Sequence, residues 1–210
     1  MNLWEFFVSH RAEIFEATIA HLFLVAVSMA IAILIGVSLG MILVKRKRLR
    51  ALALGFASIL QTIPSLALFG FLIPIPFLGG IGTRTAVIAL VLYALLPILR
   101  NTVVGLTNLD PAVLEAAEAM GMTEMQILLK VRFPLGLSVI LAGVRTATVI
   151  TIGVATIAAA IGAGGLGTFI FRGVAMVSDA VILAGAIPAA LLALAADAAL
   201  GLLERRLKVV

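Results

Sequence analysis

In 210 residues the chain carries 63% hydrophobic and only 12% charged side chains, with a net charge of +5 and a mean hydropathy of +1.28. A soluble domain holds about 25% charged residues, so this composition excludes that class and points to a membrane protein. Cysteine is absent and histidine occurs twice, at His10 and His21. Disulfides and thiolate metal sites are thereby excluded, and the histidines are too few and too far apart for a metal site.

Residues 1–17 carry Trp4, Phe6, Phe7, Ile14 and Phe15 among charges and read as a partly amphipathic helix at the outer interface, the alternative being a disordered lead-in. They lack a basic start followed by a short apolar stretch, so they do not read as a cleavable signal. Five apolar stretches follow, at 18–44, 51–73, 85–106, 135–161 and 180–203. Each is long enough to cross a bilayer, which takes about 20 residues. The first contains Gly36 and Gly40, a pair that favours close helix contact. The second is interrupted by Gln61-Thr-Ile-Pro64-Ser65. A proline beside hydroxyls marks a kink, with either a structural or a solute-contacting role.

The segment 107–134 joins the third and fourth spans and is too polar to be one. Asp110 can cap a helix with Pro111 at its first position, and 112–120 are good helix formers. Gly121 stands where a left-handed helix end is expected. Thr123 and Gln126 make a capping box for a second helix, and Pro134 is expected to stop it. The result is a helix–glycine–helix knob, which is either a rigid lever that a partner can grip or a plain interfacial loop.

Further along, Arg145 and Asp197 are ionisable residues inside spans, costly unless paired or wet. They are expected to approach each other or to line the inner mouth of a path; the alternative is that Asp197 faces the headgroups. Thr148, Thr151 and Ala155 recur at helical spacing and either pack helices or line a polar path. Gly162-Ala-Gly-Gly-Leu-Gly167 matches a dinucleotide fingerprint in its letters alone. No strand context surrounds it, and Thr168-Phe169 stands where a phosphate loop needs Lys followed by Ser or Thr. Its glycines, Gly164 and Gly165 included, read as a sharp turn or flexible gate at the outer face.

Orientation follows from the basic residues, which collect on cytoplasmic loops. Lys45, Arg46, Lys47, Arg48 and Arg50 form the densest basic run, so that loop is placed inside and the N-terminus outside. Alternation of five spans then puts eleven basic residues inside, ending with Arg205, Arg206 and Lys208. Three, Arg11, Arg84 and Arg172, fall outside, and Arg145 lies within a span. The high isoelectric point, near 10.5, is thus a topology device, and nucleic acid is not an expected partner.

Glu115-Ala116-Ala117, three residues, Gly121, nine residues, then Val131-x-Phe133-Pro134 resembles the EAA signature of ABC importer permeases. It departs only by Val for Ile and Phe for Leu. The resemblance implies that the first loop helix docks in a groove of a cytoplasmic ABC ATPase. Glu115, Ala116, Ala117 and Gly121 would then carry the coupling. The small alanines would allow close approach, and Glu115 would meet a basic partner or cap nearby backbone. Four further segments, 61–68, 93–102, 141–148 and 161–167, are similar to permeases of osmoprotectant importers, which carry glycine betaine, carnitine and choline. The resemblance runs from about residue 21 to residue 207.

By that resemblance the fold is an all-α membrane bundle of the type I importer kind, with five transmembrane helices, N-out and C-in. Residues 1–17 are the outer interfacial segment, and 18–210 the permease domain with its coupling loop at 107–134. Pro64, Ser65, Arg145, Thr148, Thr151, Gly164, Gly165 and Asp197 are the candidate path or gate residues. No catalytic residue, metal or cofactor is expected, since ATP would be bound by the partner. The implied partners are the ATPase, an extracellular or periplasmic solute-binding protein, a second permease subunit (identical or related) and membrane lipid. The implied location is the plasma or inner membrane. Three rivals stand beside this reading. A methionine-type amino-acid permease shares the five-span layout. A secondary transporter would show internal repeats, and a membrane enzyme would show a reactive cluster; neither feature is apparent.

Overall fold

A computed structural model describes residues 3–76 and 79–207. Lys208, counted above among the inner basic residues, and residues 1–2, 77–78 and 209–210 lie outside the described residues. Among the described residues every regular element is helical. In chain order they are α1 (Leu3–Ser9), α2 (Arg11–Leu43), α3 (Lys47–Thr62), α4 (Ser65–Leu72), α5 (Thr83–Thr107), α6 (Pro111–Ala119), α7 (Glu124–Ile127), α8 (Phe133–Ile157), α9 (Gly167–Ala175) and α10 (Asp179–Arg206). A π-helical turn, Leu128–Arg132, joins α7 to α8, and a 3₁₀ turn, Ala158–Ile161, ends α8.

The central element is α5. Ala86, Leu90, Ala94 and Ile98 are fully buried along it, and α2, α3, α4 and α8 pack around it. A helix apolar on every side must be surrounded by others. Glycine lets α5 and α8 come close together. A Cβ on Gly136 of α8 would stand 2.6 Å from the Gly105 carbonyl oxygen of α5, and one on Gly105 would stand 2.7 Å from that of Gly136. Backbone meets backbone here, as small residues permit between membrane helices. The Gly36 and Gly40 pair of α2 likewise rests against Ile98 and Thr102 of α5. On the other side α10 packs against α8 and α9. The N-terminal segment is helical and two-faced: Phe6 and Ile14 pack with Phe169, Val181 and Ala184, while Trp4 and Phe15 are exposed.

Four helices are each long and apolar enough to cross a membrane: α2, α5, α10, and the stretch Glu124–Ile161, which runs through the π turn as one 38-residue helix. The expected second span is instead two helices, α3 and α4, set at 103° to each other. Ile63 is extended at the break, with φ −69° and ψ 126°, as the residue before a proline is biased to be. A fifth crossing exists only if this bent pair counts as one span.

Pro134 does not end the second loop helix as expected. Phe133 N–H bonds back to the Leu128 carbonyl, five residues earlier. This widened turn sits where the ring and missing N–H of Pro134 would disrupt an ordinary helix. The chain therefore passes from knob to span without a break.

Candidate functional site

The knob is built as its residues dictate. Asp110 accepts a hydrogen bond from Ala112 N–H at 2.9 Å and Pro111 opens α6. Its other end closes through Gly121, whose φ of +75° is left-handed. Met122 N–H reaches the Ala117 carbonyl at 3.2 Å and Gly121 N–H the Glu118 carbonyl at 2.9 Å. These two bonds make the six-to-one and five-to-two closure that glycine permits at a helix end. Thr123 and Gln126 then cap α7 reciprocally.

Glu115 and Ala116 are exposed, but Ala117 is only 2% exposed. Ala117 thus faces into the subunit, leaving Glu115 and Ala116 as the open part of the motif. Two contacts absent from the sequence reasoning brace the knob. Arg132 Nη1 donates to the Leu106 carbonyl at 2.8 Å, satisfying the end of α5. Lys45, just past α2, forms an ion pair with Glu124 of α7.

Arg145 and Asp197 meet. The guanidinium donates from Nε to Oδ1 at 2.6 Å and from Nη2 to Oδ2 at 2.7 Å, a two-pronged bond between α8 and α10. Nη1 also reaches Glu204 Oε2 at 3.4 Å. Gly201 lies beneath the guanidinium, where a Cβ would come within 3.0 Å of Nη1. Such fork-to-fork pairing fixes direction as well as charge. All three side chains keep partial exposure, 35%, 42% and 30% for Arg145, Asp197 and Glu204.

The other candidates are distributed. Pro64 is exposed and Ser65 half-buried at the α3/α4 bend. Thr148 is half-buried and donates to the Val144 carbonyl at 2.8 Å. Thr151 is fully buried and its hydroxyl lies 3.5 Å from Met29 Sδ, so it belongs to the α2–α8 packing. Gly162, Gly164 and Gly165 take φ of +76°, +77° and +79°, turning the chain from α8 into α9. Gly165 abuts His21, which is fully buried and donates from Nε2 to the Ile152 carbonyl at 3.2 Å. By helical rise the turn lies roughly 24 Å along α8 from Arg145.

Two prolines explain a clamp that sequence reasoning missed. Pro97, inside α5, cannot donate to the Tyr93 carbonyl, and Gln61 Nε2 takes that place at 3.3 Å. The break before Pro64 frees the Ile63 carbonyl, and the Tyr93 hydroxyl donates to it. Each helix thus satisfies a carbonyl that the other's proline exposes, which is needed where water is scarce. A polar residue facing a proline four residues past its partner was the available signal. Among the described residues no three His, Cys, Asp or Glu come together.

The family model for the inner membrane component of binding-protein-dependent transport systems matches residues 32–209. The chain is 52% identical over 163 residues to the carnitine transport permease protein OpuCD of Listeria monocytogenes, covering 77% of this chain and 72% of that relative. It is 44% identical over 199 residues to the osmoprotectant import permease protein OsmW of Salmonella typhimurium, covering 94% and 93%. It is 38% identical over 205 residues to the glycine betaine/carnitine/choline permease protein OpuCB of Bacillus subtilis, covering 98% and 93%. Among solved structures, an inward-facing MetNI methionine ABC transporter chain superposes with a TM-score of 0.79 at 25% identity, covering 90% of this chain and 93% of that one. A chain of an amino-acid ABC transporter with histidines gives 0.81 at 20%, covering 98% and 99%, which speaks to the fold alone.

Proposed function

We propose, from the premise that the chain belongs to the family of inner membrane components of binding-protein-dependent transport systems, that it is the permease subunit of an ATP-driven importer of quaternary ammonium osmoprotectants such as glycine betaine, carnitine and choline. The observation that carries the substrate class is the sequence likeness to permeases named for those solutes. The chain is not itself an enzyme; nucleotide chemistry belongs to a separate ATPase subunit.

In this reading the bundle crosses the membrane five times, with α3 and α4 together forming the second crossing. The N-terminus is outside and the knob inside. Two such subunits, identical or related, enclose the path, and a solute-binding protein delivers cargo from outside. The open face of α6 around Glu115 and Ala116 docks on the ATPase. Because Glu124–Ile161 is one helix, a displacement of the knob moves α8 as a unit. The Arg145–Asp197 bond carries that displacement to α10, and the glycine turn lies at the far end. ATP binding shifts the equilibrium between inward-open and outward-open only through contacts that differ between them.

The structural likeness to amino-acid transporters favours an amino-acid cargo as a second reading. Vesicles containing the permease, its ATPase and its binding protein separate the two. Labelled glycine betaine uptake should require ATP and be competed by carnitine or choline. Competition by methionine alone would favour the second reading, and uptake without any ATPase would sink both.

A further inference from the structure

A groove of about 760 Å³ opens between the inner end of α2 and the knob. Its membrane-side wall is Ser38, Met41 and Ile42 of α2, and its other wall is Met122, Met125 and Leu129. Ile42, Met125 and Leu129 are 61%, 62% and 52% exposed, so three large apolar side chains stand open at one place. Exposed apolar walls of this size mark a contact surface.

The charges at its mouth select the occupant. Lys45 and Glu124 neutralise each other, and Arg132 is committed to the Leu106 carbonyl. Glu118 is the one remaining acid of the lining. Arg46 lines the groove without a carboxylate partner among the described residues, and exposed Lys47 and Arg48 follow it directly. An anion with an apolar tail fits this combination. Clustered Lys and Arg just outside a membrane helix attract anionic headgroups. The α2 wall belongs to a helix long and apolar enough to cross a bilayer, which brings it within reach of a lipid chain. Of α6 only Glu118 lines the groove, so Glu115 and Ala116 remain free for another partner.

We propose that this groove is a binding site for an anionic phospholipid. Its phosphate is held by Arg46, with exposed Lys47 and Arg48 beside it, and its acyl chain lies along Met41, Ile42, Met125 and Leu129. The bound lipid wedges the knob against α2. The site is independent of which solute is carried and of the ATPase contact.

The test uses the purified full chain in mild detergent, titrated with phosphatidylglycerol and with phosphatidylethanolamine of identical acyl chains and followed by native mass spectrometry. Phosphatidylglycerol should be retained several-fold better. Arg46→Gln should weaken its retention roughly fivefold, the usual effect of one cation near a membrane surface, and Arg84→Gln, near the start of α5, should not. The wild-type chain in vesicles with a photoreactive acyl chain on phosphatidylglycerol should be labelled within 38–46 and 122–132. Equal retention of both lipids, or labelling elsewhere, overturns the proposal. So does a cross-link from Leu129→Cys to a protein partner instead of lipid.

Discussion

Replacing Gly121 tests the knob at its turn. Gly121 has φ +75° and open space where a Cβ would go, so a side chain there meets no neighbour and alters the backbone alone. An L-residue in the left-handed region costs about 1–2 kcal/mol, which lowers the population of the closed turn by roughly fivefold to thirtyfold. Asparagine tolerates this region better than alanine. The turn holds the Met122 and Gly121 N–H bonds to α6, so losing it frees α6 from α7. ATP-driven uptake in vesicles, with ATP hydrolysis recorded in parallel, should fall several-fold for Gly121→Ala and less for Gly121→Asn. Hydrolysis should fall less than uptake, because the lever is slack while the ATPase is intact. Uptake equal to wild type in both variants, or equally impaired in both, would refute the backbone argument.

Other consequences follow from the packing. Gly136→Ala places a methyl 2.6 Å from the Gly105 carbonyl oxygen, and such overpacking costs about 1–3 kcal/mol. The melting temperature in detergent should drop, while Gly55→Ala, with nothing within 4 Å, should not lower it. Tyr93→Phe removes the donor to the half-buried Ile63 carbonyl, at a cost of up to about 1–3 kcal/mol, the range for a fully buried unsatisfied group. Hydrogen exchange across residues 59–68 should accelerate; unchanged exchange would show that the clamp does not hold the bend. Arg145→Asp and Asp197→Arg should each abolish uptake, and the double reversal should recover part of it, since the pair is two-pronged. No recovery would leave the pairing without a functional role.

Much of this architecture is legible in the sequence because it is written locally. Length and hydropathy mark α2, α5, α8 and α10, and caps at Asp110, Gly121, Thr123 and Gln126 outline the knob, since each acts within a few residues. Arg145 and Asp197 stand out because unpaired charge inside a span is costly, so their meeting is a natural expectation. Angles and reciprocal contacts are less visible. Pro64 signals a kink, but neither its 103° nor the Tyr93 hydroxyl that donates to the freed Ile63 carbonyl, thirty residues away, is written locally. Pro134 reads as a stop because the local rule ignores the wider turn at Leu128–Arg132. The sequence marks Ala117 as part of the motif but does not show that its side chain is buried, on an α6 that contacts α7.

The central claim, that α6 grips a cytoplasmic ATPase, is best tested by cysteine cross-linking. The chain has no cysteine, so Ala116→Cys supplies a unique thiol on the exposed face of α6. Paired with a cysteine in the surface groove of the ATPase, it should form a disulfide on mild oxidation. It should also resist membrane-impermeant maleimide applied outside intact cells. Labelling from outside, or no cross-link to the ATPase at any stage of ATP turnover, would contradict the account.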